Sequence, residues 1–135
     1  MSKDQQRSEL SMKNRYYISK LRYLELKNFC KQYNEWKTAL KEISLTKAHT
    51  EISTSGPVSD QTHQLAAKRL KYEENIHLIE ETALLADPSI AHWIIKGVTE
   101  SYSYEYLHLQ LGLPAGREMY YDRYRRFFWL LDKKR

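Results

Sequence analysis

The string REMYYDRYRRFFWLLDKKR, residues 117–135, holds the side chains best suited to chemistry with a partner. Arg117 can pair bidentately with a guanine edge, and Glu118 or Asp122 can accept from cytosine N4. Tyr121 stands one turn beyond Arg117 and adds a hydroxyl. Further along, Arg123, Arg125, Arg126, Lys133, Lys134 and Arg135 can clamp phosphates. Ser103 and Tyr104 start the preceding segment, and their hydroxyls are further candidates for DNA contact. The chemistry on offer is recognition of double-stranded DNA. An amphipathic helix with solvated arginines has the same composition, and the many tyrosines could instead stack on single-stranded bases.

Other chemistry is poorly supplied. His49, His63, His77, His92 and His108 form no pair at i, i+4 with a carboxylate between them. The one cysteine, Cys30, lies on an apolar stripe between Phe29 and Tyr33, which predicts a buried thiol. Glu73-Glu74 and Glu80-Glu81 read as a solvated helix face. No phosphate-binding glycine loop and no nucleophile-elbow pattern occurs. The sequence predicts a binding protein without a cofactor, and not an enzyme.

The DNA-reading side chains need a rigid mount. Ser103 can cap a short helix, SYEYLHLQL, with Leu107 and Leu111 facing inward. Gly112 is placed as a C-cap glycine, Leu113 as an apolar plug, and Pro114-Ala115-Gly116 as a turn. The last helix then has Tyr120, Tyr124, Phe127 and Leu131 on its inner stripe. Arg117, Glu118, Tyr121, Asp122 and Arg125 are expected on its outer face. This is the layout of a helix-turn-helix, with a polar N-terminal half offered to a major groove.

The rest of the chain is predicted to be all-α. Glycine (4) and proline (3) are scarce, and no segment alternates apolar with polar residues. Residues 1–44 are expected to form an N-terminal helical segment, polar at 1–13, with helices near 14–32 and 35–44. Tyr17, Leu21 and Leu24 are expected on one apolar face, and Asn34 as an N-cap. Residues 45–61, rich in Ser and Thr and holding Gly56-Pro57, read as a flexible linker. Residues 62–135 are then a long helix followed by the helix-turn-helix. Leu65, Tyr72, Ile76, Ile79, Ala83 and Ala86 form the long helix's stripe, widened by Leu70, Leu84 and Leu85. That seam predicts a homodimer or higher homo-oligomer. Asp87 and Pro88 should start the next helix as N-cap and first residue, with Ile90, Trp93, Ile94 and Val98 inward.

Charge supports a polyanion partner. The chain is +5 overall, from 22 basic and 17 acidic side chains. Residues 1–50 carry +6, residues 51–100 carry −4, and residues 101–135 carry +3. No apolar run approaches the ~20 residues of a membrane helix. A soluble intracellular protein without a membrane partner is expected.

The stretches YLELKNFCKQYNEWKTAL (23–40) and LGLPAGREMYYDRYRRFFWLLDKKR (111–135), with the order of elements between them, resemble phage and prophage late transcription regulators of the RinA/ArpU type. The resemblance implies a C-terminal helix-turn-helix similar to region 4 of sigma factors. It implies sequence-specific duplex DNA binding in the regulation of phage genes, with host RNA polymerase as a further partner. Two other functions share the pattern. One is a phage DNA-packaging recognition subunit resembling a small terminase. The other is a helical adaptor that binds protein and not DNA.

Overall fold

A computed structural model describes residues 12–53 and 60–135. Asn14 shapes the start of this part. Its Oδ1 accepts from the Tyr16 amide at 2.8 Å, and its carbonyl accepts from the Tyr17 amide at 3.0 Å. A side chain that closes a turn on its own backbone competes with helix. Helix α1 therefore spans Lys20–Lys31 and not 14–32. Ser19 caps it, accepting from the Arg22 amide at 3.2 Å. The buried face of α1 is Tyr23, Leu26, Phe29 and Cys30. Tyr17, Leu21 and Leu24 are exposed, which corrects the stripe expected there.

Helix α2 spans Tyr33–Ser53 and follows α1 after the single residue Gln32. Asn34 lies inside α2 and is not its N-cap. Tyr33 and Trp36 are buried, and Trp36 meets Phe29 across the bend at 4.9 Å between ring centroids. The helix continues through 45–53, so the linker expected at 45–61 is helical over its first half. The reason is composition: no Gly or Pro occurs between 45 and 53, and Ser and Thr alone weaken a helix by only tenths of a kcal/mol each. Gly56-Pro57 and residues 1–11 lie outside the described residues.

Helix α3 spans Asp60–Ala86 and buries only its C-terminal part, through Ile79, Thr82, Ala83 and Ala86. The buried Thr82 hydroxyl donates to the Leu78 carbonyl at 2.6 Å, so its polarity is satisfied. Tyr72 and Ile76 are half-buried, while Leu70, Leu84 and Leu85 face solvent. The apolar stripe is thus shorter and narrower than predicted. The Tyr33 hydroxyl donates to Glu80 at 2.6 Å and ties α2 to α3.

Asp87 ends α3 and holds the next turn. Its carboxylate accepts from the amide and hydroxyl of Ser89 at 2.9 and 2.6 Å. Pro88 lies in that turn, and helix α4 begins later, spanning Ala91–Glu100. Ile90, Ile94 and Val98 are buried and Trp93 is half-buried, as its periodicity predicts. Helix α5 spans Tyr104–Leu109, and helix α6 spans Arg117–Lys134. Helices and no strands occur among the described residues, so the fold is all-α.

Helix α6 is central. It packs against α1, α3 and α4, and buries Tyr120, Tyr121, Tyr124, Phe127, Phe128 and Leu131. One apolar cluster runs from Ile18 through Phe29, Trp36, Ile79 and Ile94 to Leu131. Residues of α1 and α2 therefore share this core with those of α5 and α6. Arg22 of α1 adds an ion pair to Asp132 of α6 at 2.7 Å.

The core is rich in phenols, and this sets a pH limit. The hydroxyls of Tyr23 and Tyr124 share a buried hydrogen bond at 2.7 Å. Burial pushes the Tyr120 phenol above its ordinary value, and burial with the Tyr23 neighbour pushes Tyr124 well above it. Burial, with the Glu80 hydrogen bond, raises Tyr33 as well. The unfolded chain releases such protons near pH 10, before the folded chain does. Stability is then complete below pH ~10 and falls as pH rises beyond it. Circular dichroism across an alkaline titration should show cooperative unfolding above pH ~10, with phenolate absorbance rising in the same step. A fold that persists after all the tyrosines have ionised would contradict this burial.

Candidate nucleic-acid interface

The α5–turn–α6 unit is built around two leucines. Leu107 and Leu113 are buried completely, and the Leu113 amide donates to the Leu107 carbonyl at 2.9 Å. Gly112 between them has φ of +71°, a left-handed conformation that glycine adopts at little cost. Three side chains then fasten the turn. The Tyr104 hydroxyl donates to the Ala115 carbonyl at 2.8 Å. The Trp93 indole N–H donates to the Leu111 carbonyl at 2.8 Å. His108 Nδ1 bonds the Leu113 carbonyl at 3.0 Å, with its ring stacked on Tyr104. Orphan carbonyls that water would otherwise solvate are thereby tied to rigid rings.

Ser103 caps α5, accepting from the Tyr106 amide at 3.2 Å. Helix α5 ends at Leu109, two residues before the predicted end, so Leu111 is left partly exposed. Gly116 starts α6 with no side-chain cap. The first amides of α6 are therefore not closed by a side chain of Gly116.

The predicted base-reading residues divide. Glu118 is exposed in the first turn of α6. Arg117 forms a close ion pair with Glu105, and its guanidinium lies 5.2 Å from the Tyr104 ring centroid. It is held against α5. Tyr121 is a correction: it is buried among Tyr104, Tyr120 and Tyr124, with centroids 6.5, 5.1 and 6.0 Å away. Its position one turn past Arg117 faces Tyr104 of α5, so its ring joins the core. Tyr104 is likewise half-buried and acts in the turn.

Asp122 pairs closely with Arg123, and Arg123 reaches Asp87 at 3.0 Å. Burial alone would raise the Asp87 carboxyl, but hydrogen bonds from Ser89 and Arg123 hold it below its ordinary value. That hydrogen bond likewise raises Arg123 above its ordinary value. Arg123 therefore fixes α6 to the α3–α4 turn, a structural role that competes with phosphate clamping. Arg125 and Arg126 are half-buried, and Arg126 Nη1 reaches the Tyr16 hydroxyl at 3.4 Å. Lys133 lies over the Trp129 ring at 3.4 Å, and Lys134 is exposed. Arg135 packs over Phe29 at 3.8 Å.

What stays on the outer surface of α6 is a row spaced 4, 3 and 4: Glu118, Asp122, Arg125 and Trp129, with Arg126 and Lys133 beside it. Trp129 was not among the predicted contacts. The same 4-3-4 spacing, started from Glu118, carries its signal. A row of two acids followed by three cations and a ring can accept from and donate to base edges, and can hold phosphates.

Among the described residues no group of three His, Cys, Asp or Glu side chains is placed to hold a metal ion. No helix among them is long and apolar enough to cross a membrane. Comparisons with protein-family models, with curated proteins and with solved structures give no match for this chain.

Proposed function

We propose that this chain binds double-stranded DNA through α6 and acts as a transcriptional regulator. The observation that carries the reading is the α5–turn–α6 unit. Leu107, Leu113 and three fastened carbonyls hold it rigid, while one polar face of α6 keeps Glu118 exposed and Asp122, Arg125 and Arg126 half-exposed. A groove-reading helix needs that combination, because a loose mount would lose register with the bases. Glu118, Asp122 and Arg125 are the proposed base-facing residues, and Arg126, Lys133 and Lys134 the phosphate contacts. Regulation of phage late genes, in the cytoplasm of a bacterial host and with host RNA polymerase as partner, follows from the family resemblance. A homodimer or higher oligomer is part of the proposal. Leu70, Leu84 and Leu85, exposed on α3, are apolar groups such an assembly would cover.

Fluorescence anisotropy with labelled duplexes over a salt series tests the reading. With about 4–6 phosphate contacts, log K should fall with log salt at a slope of roughly −4 to −5. Arg125→Ala should weaken a selected duplex by about 1–3 kcal/mol and a scrambled one by less. No duplex binding, or a slope near zero, overturns the proposal.

A further inference from the structure

The segment before α1 crosses the second half of α6 and brings cations to it. Tyr16 is only 4% exposed, with its ring centroid 5.4 Å from that of Trp129. The Arg15 guanidinium sits 4.6 Å from the Tyr16 centroid. Lys133 Nζ lies 3.4 Å from the Trp129 centroid. Arg126 closes the set, with Nη1 at 3.4 Å from the Tyr16 hydroxyl. Lys13 is exposed two residues before Arg15.

These cations differ from the others near α6. Arg22, Arg117 and Arg123 each face a carboxylate within the fold. Arg15 and Lys133 are placed over aromatic faces, which orient a cation without neutralising it. Among the described residues, Asp132 beside Lys133 and Glu25 on α1 are both engaged by Arg22. Positive charge is thus concentrated along one side of α6. Arg126 and Lys133 are seven residues apart, about 10 Å along the axis.

We infer that Lys13, Arg15, Arg126 and Lys133 form a phosphate clamp for duplex DNA, with the tilted Tyr16–Trp129 pair beneath it. The inference rests on the DNA-binding reading of α6 and extends it to the segment before α1. The favoured partner is the DNA backbone because the cations continue the row that Glu118, Asp122 and Arg125 begin. A lipid surface is the other polyanion, with Met12, Tyr17 and Leu21 exposed nearby as apolar groups, and vesicles are therefore an arm of the test.

The test is the full chain carrying Lys13→Ala with Arg15→Ala. Both side chains are exposed, so the melting temperature should not change. Anisotropy should show affinity falling about 10-fold or more on a selected and a scrambled duplex alike, with a salt slope shallower by about two. Arg15→Lys alone should keep the wild-type slope. Wild-type affinity and slope in the double variant overturn the clamp and leave the reading of α6 standing. Loss confined to the selected duplex overturns it too, since a clamp carries no sequence preference. A wild-type chain that binds phosphatidylserine vesicles and no duplex overturns both the clamp and the reading beneath it.

Discussion

Leu113→Asp should unfold the α5–turn–α6 unit and with it the protein. Leu113 is 1% exposed and plugs the space between α5 and α6. The polar groups around it are already engaged: the Tyr104 hydroxyl with Ala115, His108 with the Leu113 carbonyl, and the Leu107 carbonyl with the Leu113 amide. A carboxylate buried there costs at least ~3 kcal/mol. In a chain of this size that lowers the melting temperature by about 10 °C or more. Leu113→Met conserves volume and should cost under ~1.5 kcal/mol. Thermal melts followed by circular dichroism measure both. An unchanged melting temperature for the aspartate variant would mean that the turn is not packed as described.

Gly97→Ala should destabilise although alanine is the better helix former. A Cβ on Gly97 would lie 2.0 Å from the Tyr120 hydroxyl, closer than any real contact. Tyr120 is the far wall of the core, and its neighbours Tyr104, Tyr121 and Tyr124 leave the ring no easy retreat. Overpacking costs ~1–3 kcal/mol, whereas helix propensity returns ~1 kcal/mol. The clash wins, by up to about 2 kcal/mol. The same hydroxyl is buried with no hydrogen-bond partner among the described residues. Tyr120→Phe should therefore be neutral or stabilising, since it removes an unsatisfied polar group. It also clears the space, leaving the ring carbon at 3.3 Å as the tightest contact. The double variant should recover at least ~1 kcal/mol of the loss, a coupling that a double-mutant cycle reads directly. Additive effects of the two substitutions would refute the packing.

Periodicity made the second half of the chain legible. The stripe Tyr120, Tyr124, Phe127 and Leu131 is buried as spaced, and Gly112 takes the left-handed conformation its position demands. Two kinds of residue escaped that reading. Tyr121 was placed outward because one helix was weighed against one partner, whereas α6 is packed on three sides. A helix so enclosed buries a wider arc than a single stripe. Arg117 and Arg123 were assigned to DNA, but carboxylates distant in sequence, Glu105 and Asp87, hold them. Nothing local signals such pairs. The same holds for Tyr16, whose contact with Trp129 joins opposite ends of the chain. Where local spacing does decide, as in the Asx turn at Asn14, the sequence carried a cue that outweighs propensity in the residues that follow.

The central position of α6 couples occupancy to the whole molecule. Local openings in proteins release the least-buried elements first, and the most buried segment exchanges its amides only on complete unfolding. Helix α6 belongs to that last class, being enclosed by α1, α3 and α4. It has no partial route to detachment, so anything seated on its outer row is linked to global denaturation. Occupancy at a hundred times the dissociation constant adds about 2.7 kcal/mol to the unfolding free energy. A thermal-shift screen with candidate duplexes thus reports on this one helix while observing the entire chain. By the same linkage α6 cannot be excised as a short fragment, because α1 and α3 pack against it.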